Sequence, residues 1–133
     1  MAVIKKLLPF ASYDVAWTQT AAAVFLLSGI ALGVLGGGRL ERSDTTSDPT
    51  QLDQANVLVT GGIYRFSRNP MYLGFLLILT ACALYLQNLL CFAALPVFIV
   101  AMTRLQIVPE ERALRQRFGD RYREYQQRVR RWL

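Results

Sequence analysis

The chain has 133 residues, a formal net charge of +6 and a hydrophobic fraction of 53%. Its length allows one domain at most. The apolar residues form blocks instead of being spread evenly, which is typical of an integral membrane protein and argues against a soluble globular core. Histidine is absent, so the commonest proton shuttle and metal ligand is missing, and we expect no metal site. Cys82 and Cys91 lie in apolar blocks without disulfide or zinc spacing, and we expect both to be buried.

The first half of the chain predicts one membrane helix between two polar segments. Residues 1–14 predict a short interfacial segment, and residues 15–35 are the first spanning candidate, because about 20 residues cross a hydrocarbon core of roughly 30 Å. Residues 36–70 predict a cytoplasmic loop that could fold over a site. Three glycines share one face of the span, which either permits close helix packing or reflects how common glycine is in membrane helices: Gly29, Gly33 and Gly37.

The second half predicts a helical hairpin and a basic tail. Residues 71–108 contain two apolar runs separated by a turn at Gln87 and Asn88. Residues 109–133 predict one basic amphipathic helix, weakened at Gly119, that lies on a membrane or covers a neighbouring element. Its apolar stripe follows spacings of three and four residues: Leu114, Phe118, Tyr122, Tyr125, Val129 and Trp132.

These segments together predict an all-α integral membrane protein with about three transmembrane helices and a basic C-terminal helix at the cytoplasmic face. Arg39, Arg42, Arg65 and Arg68 would share a side with the arginine-rich tail, and positive charge marks the cytoplasmic side. We therefore expect a bacterial inner (cytoplasmic) membrane protein with its site facing the cytoplasm. Nucleic acid is not an expected partner, because the basic residues flank apolar segments without a binding motif.

Residues 58–74 lead from a polar turn into the hairpin. Asn69 is a favourable N-cap and Pro70 suits the first helical position, so a helix start is predicted here. Backbone N–H groups at that start, next to Arg65 and Arg68, suit an anionic ligand group. The alternative is a membrane-entry loop with positive flanking charge.

Two acidic and two aromatic residues could carry chemistry. Glu110 and Glu111 either complement the dipole at the start of the tail helix, or one of them binds hydroxyl or ammonium groups in a site. Glu111 would point about 100° away from Glu110 around the helix. Tyr64 and Tyr72 flank the hairpin entry and are either interfacial tyrosines or pocket residues.

No catalytic triad, nucleotide P-loop or metal cluster is evident. However, LVTGGIYRFSRNPMYLG, a hydrophobic hairpin and PEERALRQRFGDRYREYQQRVRRWL occur in that order. This combination resembles the isoprenylcysteine carboxyl methyltransferase family, and related phospholipid methyltransferases are similar over the same region. The resemblance covers roughly residues 49–133. It implies an integral membrane enzyme that uses S-adenosylmethionine, bound at the cytoplasmic face between the hairpin and the C-terminal segment.

Carried over by position, the resemblance implies that Glu110, Arg104 and Tyr72 are catalytic. The helix start at Asn69 would receive the cofactor's carboxylate, although many family members have histidine there. Glu110 would hold its ammonium or ribose hydroxyls, and Leu58 and Tyr64 would sandwich adenine. The arginine that relatives place near an acceptor carboxylate corresponds to Gln106 here, with Arg104 as the nearest cation. The full set of implied cofactor-binding residues is Val57, Leu58, Val59, Tyr64, Asn69, Pro70, Met71, Tyr72 and Glu110.

The resulting hypothesis is methyl transfer from S-adenosylmethionine to a lipophilic acceptor that enters from the bilayer. One alternative is a phospholipid-headgroup N-methyltransferase of similar fold. A different alternative is a non-catalytic membrane module that binds anionic lipid or a protein partner. The part of the chain before the loop is shorter than in relatives, which suggests a homodimer.

Overall fold

The computed structural model describes residues 15–41 and 57–133, and every regular element in these residues is helical. The predicted interfacial segment at residues 1–14 and most of the predicted loop lie outside the described residues. The all-α prediction is confirmed for the part of the chain that the structure describes. Four helices and one 3₁₀ turn follow one another: α1 (Trp17–Glu41), the 3₁₀ turn (Gly62–Arg65), α2 (Pro70–Leu86), α3 (Leu89–Phe118) and α4 (Asp120–Arg128).

The described helices expose a broad apolar surface. By length and composition α1 and α3 are able to cross a membrane, and α2, with 17 residues, is apolar but shorter. Large hydrophobic side chains on these helices point outwards instead of into a core. A broad apolar surface of this kind is typical of helices that contact lipid. Examples are Val24, Leu27 and Val34 on α1, Phe75 on α2, and Val97 and Leu105 on α3.

Helices α1 and α2 pack closely through glycine. A Cβ atom built on Gly29 would lie 2.6 Å from the carbonyl oxygen of Gly74, and one built on Gly74 would lie 2.7 Å from that of Gly29. A Cβ on Gly33 or Gly37 would meet nothing within 4 Å. The predicted glycine face is therefore a packing face at Gly29, whereas Gly33 and Gly37 do not need to be glycine for space.

The first helix is longer than predicted. It continues to Glu41, beyond the expected end at residue 35, and so includes the start of the predicted loop. Packing accounts for this extension, because the glycine run brings α1 against the start of α2. A Cβ on Gly36 would lie 2.8 Å from Met71 Cγ. Tertiary contact thus overrides the weak helix propensity of glycine.

Helices α2 and α3 follow one another through a short turn at Gln87 and Asn88, and this turn is anchored to α1. Gln87 takes a left-handed conformation with φ 50°, and the side chain of Asn88 accepts a hydrogen bond from the Leu90 N–H at 3.0 Å. The Gln87 amide donates to the buried Thr18 hydroxyl at 2.9 Å. This bond holds the turn at the start of α1. Cysteine burial was predicted correctly for Cys91 only, because Cys82 is exposed on α2.

Near the predicted boundary at residues 108 and 109 the helix changes from a π-helical turn to an α-helical part that begins at Val108, and the chain stays helical from Leu89 to Phe118. A proline inside a helix clashes with the carbonyl four residues earlier. Here that carbonyl belongs to Leu105, within a π-helical turn at Thr103–Ile107, and the wider turn accommodates Pro109.

The tail is not one helix. It breaks at Gly119, whose φ is +53°, and a non-helical segment follows α4 from Val129 onwards. The apolar stripe is nevertheless a packing face, as predicted. Tyr64, Tyr122, Tyr125 and Val129 form a buried cluster, with five half-buried neighbours: Leu58, Val59, Ile63, Leu114 and Phe118. The tail therefore covers the segment before α2. Trp132 lies apart from this cluster and packs edge-on against Phe98.

Candidate functional site

Two predicted site residues meet between α2 and α3. The hydroxyl of Tyr72, in the first turn of α2, donates a hydrogen bond to Glu110 Oε1 on α3. Neither residue is fully exposed. Both acidic residues lie in the first turn of the α-helical part of α3 that begins at Val108, as the dipole explanation requires, and Glu110 in addition contacts Tyr72.

Tyr64 lies close to this pair. Its side chain is 7% exposed, and its hydroxyl is 3.5 Å from the carbonyl oxygen of Gly36 on α1. Burial, and then the negative charge of Glu110, raise the pKa of the Tyr64 hydroxyl above its ordinary value. Tyr64 is therefore a neutral wall residue that joins the 3₁₀ turn to α1 beside the acidic group.

The start of α2 agrees with the prediction in position but not in its cap. Pro70 is the first helical residue, as predicted, and Asn69 is at the N-cap position without a capping hydrogen bond from its side chain. The Asn69 amide instead donates to the carbonyl oxygen of Arg131 at 2.9 Å. The first helical hydrogen bond runs from the Leu73 N–H to the Asn69 carbonyl at 3.0 Å. The N–H groups of Met71 and Tyr72 come before this bond in the chain, so they have no carbonyl partner within α2.

The remaining predicted cofactor residues precede the 3₁₀ turn. Val57 is 49% exposed, whereas Leu58 and Val59 are half-buried against the aromatic cluster around Tyr64. This segment supplies apolar surface. Tyr64 packs against this segment and is also close to Tyr72 and Glu110, so it connects the segment to that pair.

Arg104 and Gln106 are both exposed on the π-helical turn of α3. Among the hydrogen bonds and ion pairs of the described residues, none joins Arg104 to Tyr72 or Glu110. The buried residue of this turn is Ile107, with no exposed surface. The structure therefore groups Tyr64, Tyr72 and Glu110, and it leaves Arg104 outside that group.

An ionic network beside the site was not predicted. Glu111 accepts two hydrogen bonds from Arg131, at 2.9 Å from Nε and 2.8 Å from Nη2, and its Oε1 is 3.1 Å from Arg68 Nη1. The side chains of Glu111 and Arg68 are only 6% and 11% exposed. A buried carboxylate between two guanidinium groups has a structural role, so Glu111 is not the passive neighbour of Glu110 that the helix geometry suggested.

Backbone contacts extend this connection. The Arg68 N–H donates to the Arg130 carbonyl at 3.0 Å, and the Ser67 hydroxyl donates to the Arg131 carbonyl at 3.4 Å. Residues 67–69 thus hold residues 130–131 beside the start of α2. The one signal in the sequence was the large number of arginines in the tail, and it does not show which of them pairs with Glu111.

Comparisons with known proteins bear on the identity of this site. The sequence profile of the phospholipid methyltransferase family matches residues 17–121. An uncharacterised protein of Haemophilus influenzae is 49% identical over 63 residues, which are 47% of this chain and 100% of that protein. Methanethiol S-methyltransferase 1 of Bradyrhizobium diazoefficiens is 40% identical over 67 residues, 50% of this chain and 22% of that protein.

A plant protein is also similar. Protein-S-isoprenylcysteine O-methyltransferase B of Arabidopsis thaliana is 35% identical over 88 residues, 66% of this chain and 45% of that protein. This chain therefore spans less than half the length of the Bradyrhizobium and Arabidopsis proteins. No solved structure matches the chain significantly.

Proposed function

This chain belongs to the phospholipid methyltransferase family, and we propose that it transfers a methyl group from S-adenosylmethionine to a lipophilic acceptor that enters from the bilayer. The observation that carries the proposal is the hydrogen bond between Tyr72 and Glu110, next to Tyr64, where α2 and α3 meet. S-adenosylmethionine supplies a sulfonium methyl group that is already activated. The protein mainly has to orient two reactants and exclude water.

The residues present fit this cofactor. Its ammonium and ribose hydroxyls need an acceptor, and Glu110 has a second carboxylate oxygen besides the one bonded to Tyr72. Its carboxylate needs donors, which the N–H groups of Met71 and Tyr72 provide at the start of α2. Its adenine needs apolar surface, which Leu58 provides beside Tyr64. We propose that these residues bind the cofactor on the side that faces the cytoplasm.

The chemistry of the acceptor sets what else the site must do. A carboxylate or thiolate acceptor needs no strong general base, whereas an amine must be neutral when it attacks. Arg104 is exposed on α3 and does not contact the central group, so a guanidinium clamp for an acceptor carboxylate is not part of the proposal. We propose a small or extended lipophilic acceptor that slides between α2 and α3 from the lipid.

The names of the relatives favour sulfur or oxygen as the accepting atom, since one is a methanethiol S-methyltransferase and another an isoprenylcysteine O-methyltransferase. The name of the family favours a phospholipid headgroup amine. That second candidate function keeps the same cofactor site and differs in the acceptor alone.

Transfer of a radiolabelled methyl group tests the proposal. The purified full chain would be incubated with labelled S-adenosylmethionine and a lipophilic thiol, a prenylated cysteine or phosphatidylethanolamine, and lipid extracts would be counted. We expect label in one of these acceptors, and its loss in Glu110→Gln, which keeps an oxygen for Tyr72 but removes the charge. Asp120→Asn, on the exposed surface of α4, is the matched control and should keep activity. Equal transfer by the parent and Glu110→Gln would contradict the proposal.

A further inference from the structure

A second site lies apart from the group at Glu110. A cavity of about 440 Å³ opens between the segment before α2 and helix α4. Four charged side chains line it: Arg65, Arg121, Arg128 and Glu124. Three guanidinium groups and one carboxylate give this cavity a net positive charge. None of these residues belongs to the predicted cofactor or catalytic set.

Two of the three arginines are available to a ligand. Glu124 and Arg128 form an ion pair, with 3.3 Å between Oε2 and Nη2, so these two charges largely neutralise each other. Within residues 15–41 and 57–133, the side chains of Arg65 and Arg121 make no hydrogen bond or ion pair. Two unpaired guanidinium groups at one cavity are suited to an oxyanion, because each offers a fork of N–H donors.

The rest of the lining combines apolar side chains with the hydroxyl of Thr60. Leu58 and Val129 contribute aliphatic surface, and Tyr125 contributes its ring. The Tyr125 hydroxyl already donates to the Tyr64 carbonyl at 2.7 Å, so that hydroxyl group is engaged elsewhere. A free inorganic anion gains nothing from the apolar part of this wall. An anion attached to a glycerol and acyl chains does, because those groups can cover the apolar surface.

The cavity also lies where the membrane helices end. Arg65 is five residues before the start of α2 at Pro70. Arg39, near the end of α1, lies against the same segment, since a Cβ on Gly61 would be 2.6 Å from its Nη2. Arginine side chains at the ends of apolar helices are at the level of the lipid headgroups, where anionic lipids attract them.

We propose that this cavity binds the phosphate group of an anionic phospholipid, at a site separate from the one at Tyr72 and Glu110. Arg65 and Arg121 hold the phosphate oxygens, and Val129 and the ring of Tyr125 contact the glycerol and the first methylenes. The lipid is a bound component of the enzyme and not its methyl acceptor. The proposal does not depend on methyl transfer.

Native mass spectrometry of the purified full chain in a neutral detergent tests this site. Phosphatidylglycerol, phosphatidylcholine and inorganic phosphate would each be titrated. For phosphatidylglycerol, R65Q/R121Q should bind more weakly, by about fivefold for each arginine lost. The matched control is R112Q/R123Q, which removes the same charge from exposed positions outside the cavity. It should change binding by no more than about twofold.

Glu124→Gln should change the affinity for phosphatidylglycerol in the opposite direction. It removes the one carboxylate of the cavity and frees Arg128, so phosphatidylglycerol should bind more tightly. Three results would overturn the proposal: equal weakening by R65Q/R121Q and R112Q/R123Q, no gain with Glu124→Gln, or phosphate that binds at the arginines while phosphatidylglycerol does not displace it. Melting curves of each variant would check that the fold is retained.

Discussion

Arg131 joins two helices at once. Its guanidinium forms two parallel hydrogen bonds with Glu111 on α3, and its carbonyl oxygen accepts the Asn69 amide at the start of α2. The bonds to Glu111 raise the pKa of Arg131 further above its ordinary value, so the guanidinium stays charged. Glu110 directly precedes Glu111 on α3, and Tyr72 lies three residues after Asn69 in the first turn of α2. The tail segment therefore fixes the spacing of the helices that carry the candidate site.

The first prediction is that Glu111→Gln lowers the free energy of unfolding by about 3 kcal/mol, because it leaves the buried Arg68 without a full counter-charge. Chemical unfolding in one detergent would measure this loss. Glu124→Gln is the control, since its pair with Arg128 is exposed and should contribute no more than about 0.5 kcal/mol. Equal stability of both variants would show that the buried network does not stabilise the fold.

Asn69 provides the second prediction. Asn69→Asp replaces the donor to the Arg131 carbonyl with an acceptor, and should cost about 1–2 kcal/mol of stability. On capping alone the same change would be nearly neutral. Asn69→His keeps a ring N–H that can donate, so it should melt close to the parent. If Asn69→Asp melted like the parent and Asn69→His did not, the bond to Arg131 would be unimportant in solution.

The third prediction concerns the contact between α1 and α2. Gly29→Ala places a methyl group against the Gly74 carbonyl and should destabilise the protein by about 1–3 kcal/mol, the range for overpacking. Gly33→Ala is the matched control on the same helix, because its Cβ meets nothing within 4 Å. Thermal unfolding of both variants would measure the difference. A melting temperature that fell equally in both would argue against close packing at Gly29.

The fourth prediction concerns topology. Thr60 and Gln127 are exposed, and both lie close in the chain to residues of the aromatic cluster around Tyr64. Arginines are concentrated in this part of the chain, and positive charge marks the cytoplasmic side, so we expect both residues to face the cytoplasm. In a cysteine-free background, Thr60→Cys and Gln127→Cys should react with an impermeant thiol reagent only after the membrane is opened. Leu89→Cys, at the hairpin turn, should react in intact cells. Labelling of Thr60→Cys and Gln127→Cys from different sides would contradict the arrangement.

Local patterns in the sequence were sufficient for much of the fold. The apolar runs on either side of Gln87 and Asn88 gave the hairpin, and spacings of three and four gave the stripe that packs on Tyr64. The family and its methyl donor were also predicted, and the family match confirms them. These features depend on residues that are close together in the chain or on their order.

Features that depend on long-range contacts were missed. Asn69 and Arg131 are 62 positions apart, and Arg131 lies 20 positions from Glu111, so no periodicity links them. The change from apolar to polar composition predicted a boundary before Pro109 and a loop after residue 35, but a π-helical turn and packing on α2 continue both helices. The fold at these places is set by which surfaces meet, and a single sequence does not show that.

Titration of S-adenosylmethionine into the purified chain by calorimetry tests the central claim most directly. We expect saturable binding that weakens by about 1–3 kcal/mol in Glu110→Gln, the range for a charge-assisted hydrogen bond. Tyr72→Phe and the double variant would complete a cycle, and the two losses should not add, because the side chains share one hydrogen bond. Asp120→Asn should bind like the parent. No saturable binding by the parent, or equal affinity in Glu110→Gln, would contradict a cofactor site at Glu110.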